Sequence, residues 1–190
     1  MMFPLFRRNA RQNTISTLYG MIVAQARLPC FYREFGVPDT LNGRFDLLVL
    51  HLSTVVDRLA KDPSLRAMGQ ALFDRFCQDM DHNLREMGVG DLAVPKEMRR
   101  IGEAFYGRAE AYRGALAAAN EGALTEVIAR NIYGGKAPAS NAAARLAAYI
   151  REAVRRLDEQ EPSGLLAGQI FLPDPVAAAL VEDKSNSRKD

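Results

Sequence analysis

Apolar positions recur every three or four residues along almost the whole chain. That is the spacing of one helical face, and the alternation of a half-buried strand is scarce. The spacing predicts a first helix over 14–26, with Ile15, Leu18, Tyr19, Ile22 and Val23 on one stripe. Pro29 interrupts it, 30–35 has room for a short helical turn, and Gly36-Val37-Pro38-Asp39 reads as a turn. A helix over 44–60 carries Phe45, Leu48, Val49, Leu52, Val55, Val56 and Leu59, with Leu47 and Leu50 apolar outside that stripe. A helix apolar on so many sides belongs at the centre, with neighbours on more than one face.

The longest candidate runs over 64–87, with Leu65, Met68, Leu72, Phe76, Met80, Leu84 and Met87 as its inward stripe, and Gly88 and Gly90 ending it. A helix over 95–120 follows, with Met98, Ile101, Phe105, Ala109, Tyr112 and Leu116 inward. Gly102, Gly107 and Gly114 each weaken it by about 1 kcal/mol against Ala, which predicts close helix packing or a break near Gly107. Helices over 121–132, stopped by Gly134-Gly135, and over 141–157, with Ala142, Leu146, Tyr149, Ile150, Val154 and Leu157 inward, complete the pattern. The expected architecture is all-α, a single irregular bundle of about six helices over 14–160. A basic segment over 1–13 precedes it and an irregular tail over 161–190 follows.

Composition narrows this reading only a little. The chain has 190 residues, is 48% hydrophobic, and carries 25 Lys and Arg against 23 Asp and Glu, a net charge of +2. That is an ordinary globular composition with too little charge to demand nucleic acid. Cys30 and Cys77 read as free thiols in a reducing compartment. No apolar run reaches the ~20 residues of a spanning helix, and the start lacks the h-region of a secretory signal.

Candidate chemistry is sparse. Asp79 and His82 have the carboxylate-x-x-His spacing of di-iron bundles, but such a site needs a second pair and two more carboxylates. His51 has no such companion, neither cysteine has a His beside it, and phosphate loops and zinc clusters are missing. No catalytic role is expected for His51, His82, Cys30 or Cys77, and no metal or cofactor.

Charge placement is more informative. Five arginines, Arg7, Arg8, Arg11, Arg27 and Arg33, precede the first acidic residue, Glu34, and Phe3-Pro4-Leu5-Phe6 precedes the first three. An apolar start followed by arginines suits an anionic membrane surface, and it equally suits a solvated terminus. Lys96, Arg99 and Arg100 share one side of a helix opposite Met98 and Ile101, a candidate binding patch. Phe31, Tyr32 and Phe35 lie where no complete core stripe can be drawn. They are either an exposed aromatic patch or a cap on the core.

Two stretches go beyond generic helices. One holds Ile22-Val23-Ala24-Gln25-Ala26-Arg27, Phe31-Tyr32, Phe35-Gly36-Val37-Pro38-Asp39-Thr40, Gly43-Arg44-Phe45-Asp46 and Val49-Leu50-His51-Leu52. The other holds Asp79-Met80-Asp81, Leu84-Arg85-Glu86-Met87-Gly88-Val89-Gly90-Asp91, Val94-Pro95-Lys96 and Ala104-Phe105-Tyr106-Gly107-Arg108. Over about residues 14–155 the chain resembles the ubiquinol–cytochrome c reductase assembly chaperone family, in its alphaproteobacterial form.

The resemblance implies a non-enzymatic all-α chaperone that holds newly made cytochrome b on the cytoplasmic side of the inner membrane. Its setting would be cytoplasmic or peripheral on that face. A small helical partner protein, the ribosome near its exit site and the anionic membrane are further candidate partners. The family supplies no catalytic residues, so only motif positions transfer as candidate surface: Asp79, Asp81, Phe105, Tyr106 and Arg108, beside Phe31, Tyr32, Phe35, Lys96, Arg99 and Arg100. One alternative is an all-α carrier or enzyme for an isoprenoid or quinone-like lipid. It needs an apolar tunnel and paired acidic motifs, of which Asp79 and Asp81 are the nearest approach. A helical ribosome-associated adaptor is another.

Overall fold

The computed structural model describes residues 3–120, 122–135 and 141–179, with no strand among them. The helices follow in order: α1 (Phe3–Ala26), α2 (Pro29–Arg33), α3 (Leu41–Lys61), α4 (Arg66–Glu86), α5 (Val94–Ala117), α6 (Ala123–Tyr133), α7 (Ala142–Asp158) and α8 (Pro162–Leu166), with 175–179 helical as well. The fold is all-α, as the periodicity required.

α3 is the axis and touches α1, α4, α5, α6 and α7. Its run from Leu47 to Val55 is buried throughout, which places the most apolar helix where a helix without a polar face has to lie. Thr40 caps it, its side-chain oxygen accepting from Gly43 N–H at 3.1 Å. A side chain at Gly43 would meet the Pro38 carbonyl oxygen at 2.0 Å, so the approach of the 36–40 turn to α3 depends on that glycine.

Polar groups buried on α3 are satisfied along the helix and across to α7. Ser53 and Thr54 hydroxyls donate to the Leu50 carbonyl. His51 Nδ1 lies 2.7 Å from the Leu47 carbonyl, which can only accept, so Nδ1 carries the proton. Nε2 is then the acceptor for the Tyr149 hydroxyl at 2.9 Å, and that hydroxyl accepts in turn from Gln25 Nε2 at 3.1 Å. Burial lowers the His51 pKa to about 4, so the ring is neutral, while burial raises that of Tyr149. The chain joins α1, α3 and α7 through one neutral histidine.

Three features differ from the sequence reading. α1 begins at Phe3 rather than near Thr14; the side chains of Phe3, Pro4, Leu5, Phe6, Arg7 and Arg8 lie outside the described residues. After Pro162 the chain forms α8 and packs Leu165, Ile170, Ala178 and Ala179 into the core instead of running irregularly; the polar end from Ser185 lies outside the described residues. α5 runs unbroken, and a Cβ on Gly102, Gly107 or Gly114 would meet no atom within 4 Å, so neither a break nor close packing explains these glycines.

Candidate functional site

α4 and α5 form a hairpin whose two ends have different surroundings. At the inner end Phe73, Phe76 and Phe105 stack, with ring centroids 4.8 Å apart for Phe73–Phe105 and 5.5 Å for Phe76–Phe105. Phe45 of α3 joins at 6.3 Å from Phe76. Beyond these rings each helix continues for about ten residues, roughly 15 Å. Over residues 81–100 the one buried hydrophobic side chain is Val94.

The apolar stripes nevertheless continue. Met80, Leu84 and Met87 prolong the face that carries Phe76, and Val94, Met98 and Ile101 prolong the face that carries Phe105. Of these only Val94 is buried. Met87 is 56% exposed, Leu92 100% and Tyr106 59%. Met80, Leu84, Val89, Met98 and Ile101 are half-buried. Met80 and Ile101 still pack against the core, and towards the turn the apolar, methionine-rich seam of the hairpin end grades into exposed Met87 and Leu92. Methionine's flexible thioether suits it to irregular apolar partners.

Local interactions hold this end in shape. Gly88 takes φ +82°, its N–H donates to the Arg85 carbonyl and the Val89 N–H to the Leu84 carbonyl, both at 3.0 Å, which closes α4 in a Schellman turn. Arg85 Nε donates to Asp81 at 2.7 Å and Nη1 pairs with Asp91 across the glycine turn. That hydrogen bond from Arg85 holds the Asp81 carboxyl below its ordinary range. Two ties join the hairpin to the bundle. Tyr19 of α1 donates to Asp79 at 2.8 Å. Arg108 Nη2 forms an ion pair with Asp46 of α3 at 2.8 Å, with the guanidinium over the Phe45 ring. Burial raises the Asp46 pKa against the lowering effect of Arg108.

These geometries sort the residues chosen from sequence. Phe31 and Phe35 are buried and leave the candidate surface. α2 is one turn long, and its i, i+4 spacing turns both rings inward, Phe31 onto His51 at 5.2 Å and Tyr149 at 5.3 Å. Tyr133 donates to the Phe35 carbonyl at 2.8 Å, and Arg145 covers the Phe35 ring at 4.8 Å. Phe105 is buried in the inner hairpin. Asp79, Asp81 and Arg108 serve the hairpin's own ties and braces. Tyr32 is half-buried beside a groove at the α1–α3 corner.

Tyr106, Lys96, Arg99 and Arg100 are exposed on α5. Arg99 pairs with Glu103 at 2.9 Å and Arg100 with Glu97 at 2.7 Å, so two of the three cations have partners on their own helix. Of the outer-hairpin residues that periodicity places inward, Met80 and Ile101 pack against the core, Leu84 and Met98 are half-buried, and Met87 is exposed. Leu92, a large apolar residue alone in a glycine- and aspartate-flanked link, is fully exposed beside it.

The titratable groups considered for chemistry are dispersed. His82 pairs with Glu86 at 3.1 Å, whereas Asp79 goes to Tyr19. Burial raises the thiol pKa of both Cys30 and Cys77. Among the described residues no cluster of three metal-ligating side chains occurs, and no helix is long and apolar enough to cross a membrane. A cleft of about 20 Å³ between α3, α5 and α7 has room for about one water. A groove of about 250 Å³ is lined by Arg27, Pro29, Tyr32, Arg33, Asp39 and Arg44. Neither is the apolar tunnel that a lipid carrier needs.

The family model described as ubiquinol-cytochrome C chaperone matches residues 33–172, the whole hairpin included and the segment past Pro162 as well. Among solved structures, the crystal structure of the Cbp3 homolog from Brucella abortus is similar at a TM-score of 0.82 and 38% identity, covering 93% of this chain and 98% of that one. No curated protein matches significantly. With some three-quarters of its length inside the family match, and a relative of the same fold along nearly its full length, the chain belongs to the ubiquinol-cytochrome C chaperone family.

Proposed function

We propose that this chaperone holds newly made cytochrome b before that subunit joins the ubiquinol–cytochrome c reductase complex, and that it works without catalysis. An apolar client segment rests on the apolar seam of the outer α4–α5 hairpin. The observation that carries this reading is a folded and braced helix pair whose apolar end leaves Met87 and Leu92 exposed and Leu84 and Met98 only half-buried. A client still outside its complex exposes apolar helix faces of its own, and burial of such area drives association at about 25 cal/mol per Å² before ordering costs. Lys96 and its neighbours Arg99 and Arg100 border the seam as a polar rim, which tunes approach and specificity more than affinity.

Photocrosslinkers placed at Met87 and Leu92 in cells should recover cytochrome b. One at Leu166, an apolar residue 48% exposed on α8, should not. Recovery from Leu166 with none from the hairpin would move the site. Deletion of the gene should lower cytochrome b and the assembled complex, and normal levels of both would end the assignment. Reversing the charges of Lys96, Arg99 and Arg100 together should leave thermal stability unchanged and make client association weaker and more salt-sensitive. If association with ribosomes falls instead, with client capture intact, the adaptor reading replaces this one.

A further inference from the structure

The α1–α3 corner carries a feature that client binding does not use. Arg27, at the end of α1, Arg33, at the end of α2, and Arg44, in the first turn of α3, converge on the 250 Å³ groove, with Tyr32 as one wall and Pro29 beside it. Asp39 is the one carboxylate in the lining, and it is committed to Arg44 Nε at 2.7 Å. Arg44 also lies over the Tyr32 ring at 5.8 Å, and Tyr32 is held by a hydrogen bond from its hydroxyl to the Ala26 carbonyl at 3.3 Å. Arg27 and Arg33 make no ion pair among the described residues. Arg44 has local partners in Asp39 and Tyr32, but the described fold supplies no counter-charge for Arg27 and Arg33, which repel it and each other. Their lining charge, three positive against one negative, matches an anion of one to two charges.

The geometry points to a binding groove for a phosphate group, carried by the headgroup of an anionic phospholipid. Guanidinium forks match phosphate oxygens in geometry as well as charge. Arg44 is pre-set by Asp39 and Tyr32, and Arg27 and Arg33 supply the uncompensated charge. A lipid rather than an RNA phosphate fits for two local reasons. The Tyr32 ring is already occupied by Arg44, so no aromatic face is left for a base to stack on. Leu41 stands 69% exposed one helical turn before Arg44, a residue placed to enter the acyl boundary while the arginine holds the headgroup. The choice of membrane also rests on the family's task of assembling a membrane complex, and the site lies on different elements from the client seam.

The test is co-sedimentation of the purified full chain with phosphatidylcholine vesicles, with and without phosphatidylglycerol. Binding should require phosphatidylglycerol. The double variant R27Q/R33Q should reduce partition by on the order of tenfold or more, since each basic residue near an anionic surface contributes a several-fold factor. R27K/R33K, which keeps the charge and loses the fork, should bind more weakly than the parent and more strongly than R27Q/R33Q, and the melting curve of R27Q/R33Q shows whether its fold is intact. R66Q/R130Q removes the same charge from exposed positions on α4 and α6 and should bind like the parent. Equal losses from both glutamine pairs would mean diffuse attraction and overturn the groove. Perturbation of the Arg27, Arg33 and Arg44 side-chain signals by glycerol phosphate, with no binding to any vesicle, would overturn the lipid source in favour of a soluble phosphate. Displacement of vesicles by single-stranded RNA at the same arginines would transfer the groove to RNA. The assay holds no client, so failure here leaves the cytochrome b reading standing, and failure of crosslinking leaves this one standing.

Discussion

α7 and the outer α4–α5 hairpin carry the same kind of sequence and meet opposite fates. On α7, Leu146, Tyr149, Ile150 and Leu157 recur at helical spacing and are closed off from solvent against α3 and α6. On the hairpin, Met80, Leu84 and Met87, and Met98 and Ile101 opposite, recur with the same period and none is buried. Period tells which face of a helix is apolar. It does not tell whether the chain owns a second element to cover that face. A bundle that leaves such a face partly open gives up part of the stabilisation of burial there.

The sharpest way to break the comparison is to truncate one ring in the closed region and two side chains in the open one. Phe31→Ala removes a ring packed on Phe35, His51 and Tyr149 and should cost about 4 kcal/mol. Met87→Ser with Leu92→Ser should shift stability by less than about 0.5 kcal/mol and abolish the crosslinks to cytochrome b. Chemical denaturation measures the first, and denaturation with crosslinking the second. Comparable stability losses in both would mean that the seam is part of the core.

Acid should strain the closed region through His51. Its folded pKa, about 4, lies below the ordinary 6.5, so between those values the unfolded chain binds a proton that the native chain does not. Stability therefore rises with pH across this window and falls as pH drops from 6.5 towards 4, by on the order of 3 kcal/mol. In His51→Gln the dependence of unfolding free energy on pH between 4 and 6.5 should flatten, whatever the variant's absolute stability. A slope as steep as the parent's would place the titration elsewhere.

Most of the closed region was legible from sequence. The stripes of α3 and α7, the central place of α3 and the glycine stops of α4 and α6 follow from period and from backbone rules that act within a few residues. Three things were hidden for physical reasons. Phe31 and Phe35 needed the cavity beside His51 and Tyr149, which exists only once α3 and α7 are side by side. The segment after Pro162 is built from single turns, too short for a period, although Leu165 and Ile170 are buried. The seam was invisible because its apolar pattern is a correct helical pattern. The motif location, residues 79–108, was thus legible, while the structural roles within it were not: Asp79, Asp81 and Arg108 hold the hairpin whose end exposes Met87 and Leu92.

A smaller effect is expected where the closed region depends on a backbone approach. Gly43→Ala places a methyl 2.0 Å from the Pro38 carbonyl oxygen, and relief requires moving the turn that carries Phe35 and Val37 into the core. Overpacking of this kind costs roughly 2 kcal/mol. Thermal unfolding should show the loss, and Gly69→Ala, whose nearest contact is Leu59 Cβ at 3.4 Å, should lose less.

The finest test asks whether the two halves of α5 answer separately. Gly107 lies between the buried Phe105 and Tyr112, and Gly102 lies on the way to the hairpin end. Both are helical, and a methyl at either would meet no atom within 4 Å. Alanine at either position removes unfolded-state freedom without a clash, so each should gain about 0.5–1 kcal/mol of local helix stability. At Gly107 that gain belongs to a segment that unfolds with the core, so the melting temperature should rise by about 1–4 °C. At Gly102 the gain belongs to a hairpin end outside the core, which opens without global unfolding. There the melting temperature should stay near the parent's, while amide exchange over residues 94–104 slows several-fold. Equal melting shifts from both substitutions would show that the outer hairpin unfolds with the bundle. The seam would then be as rigid as α7 and would have to receive its client without opening.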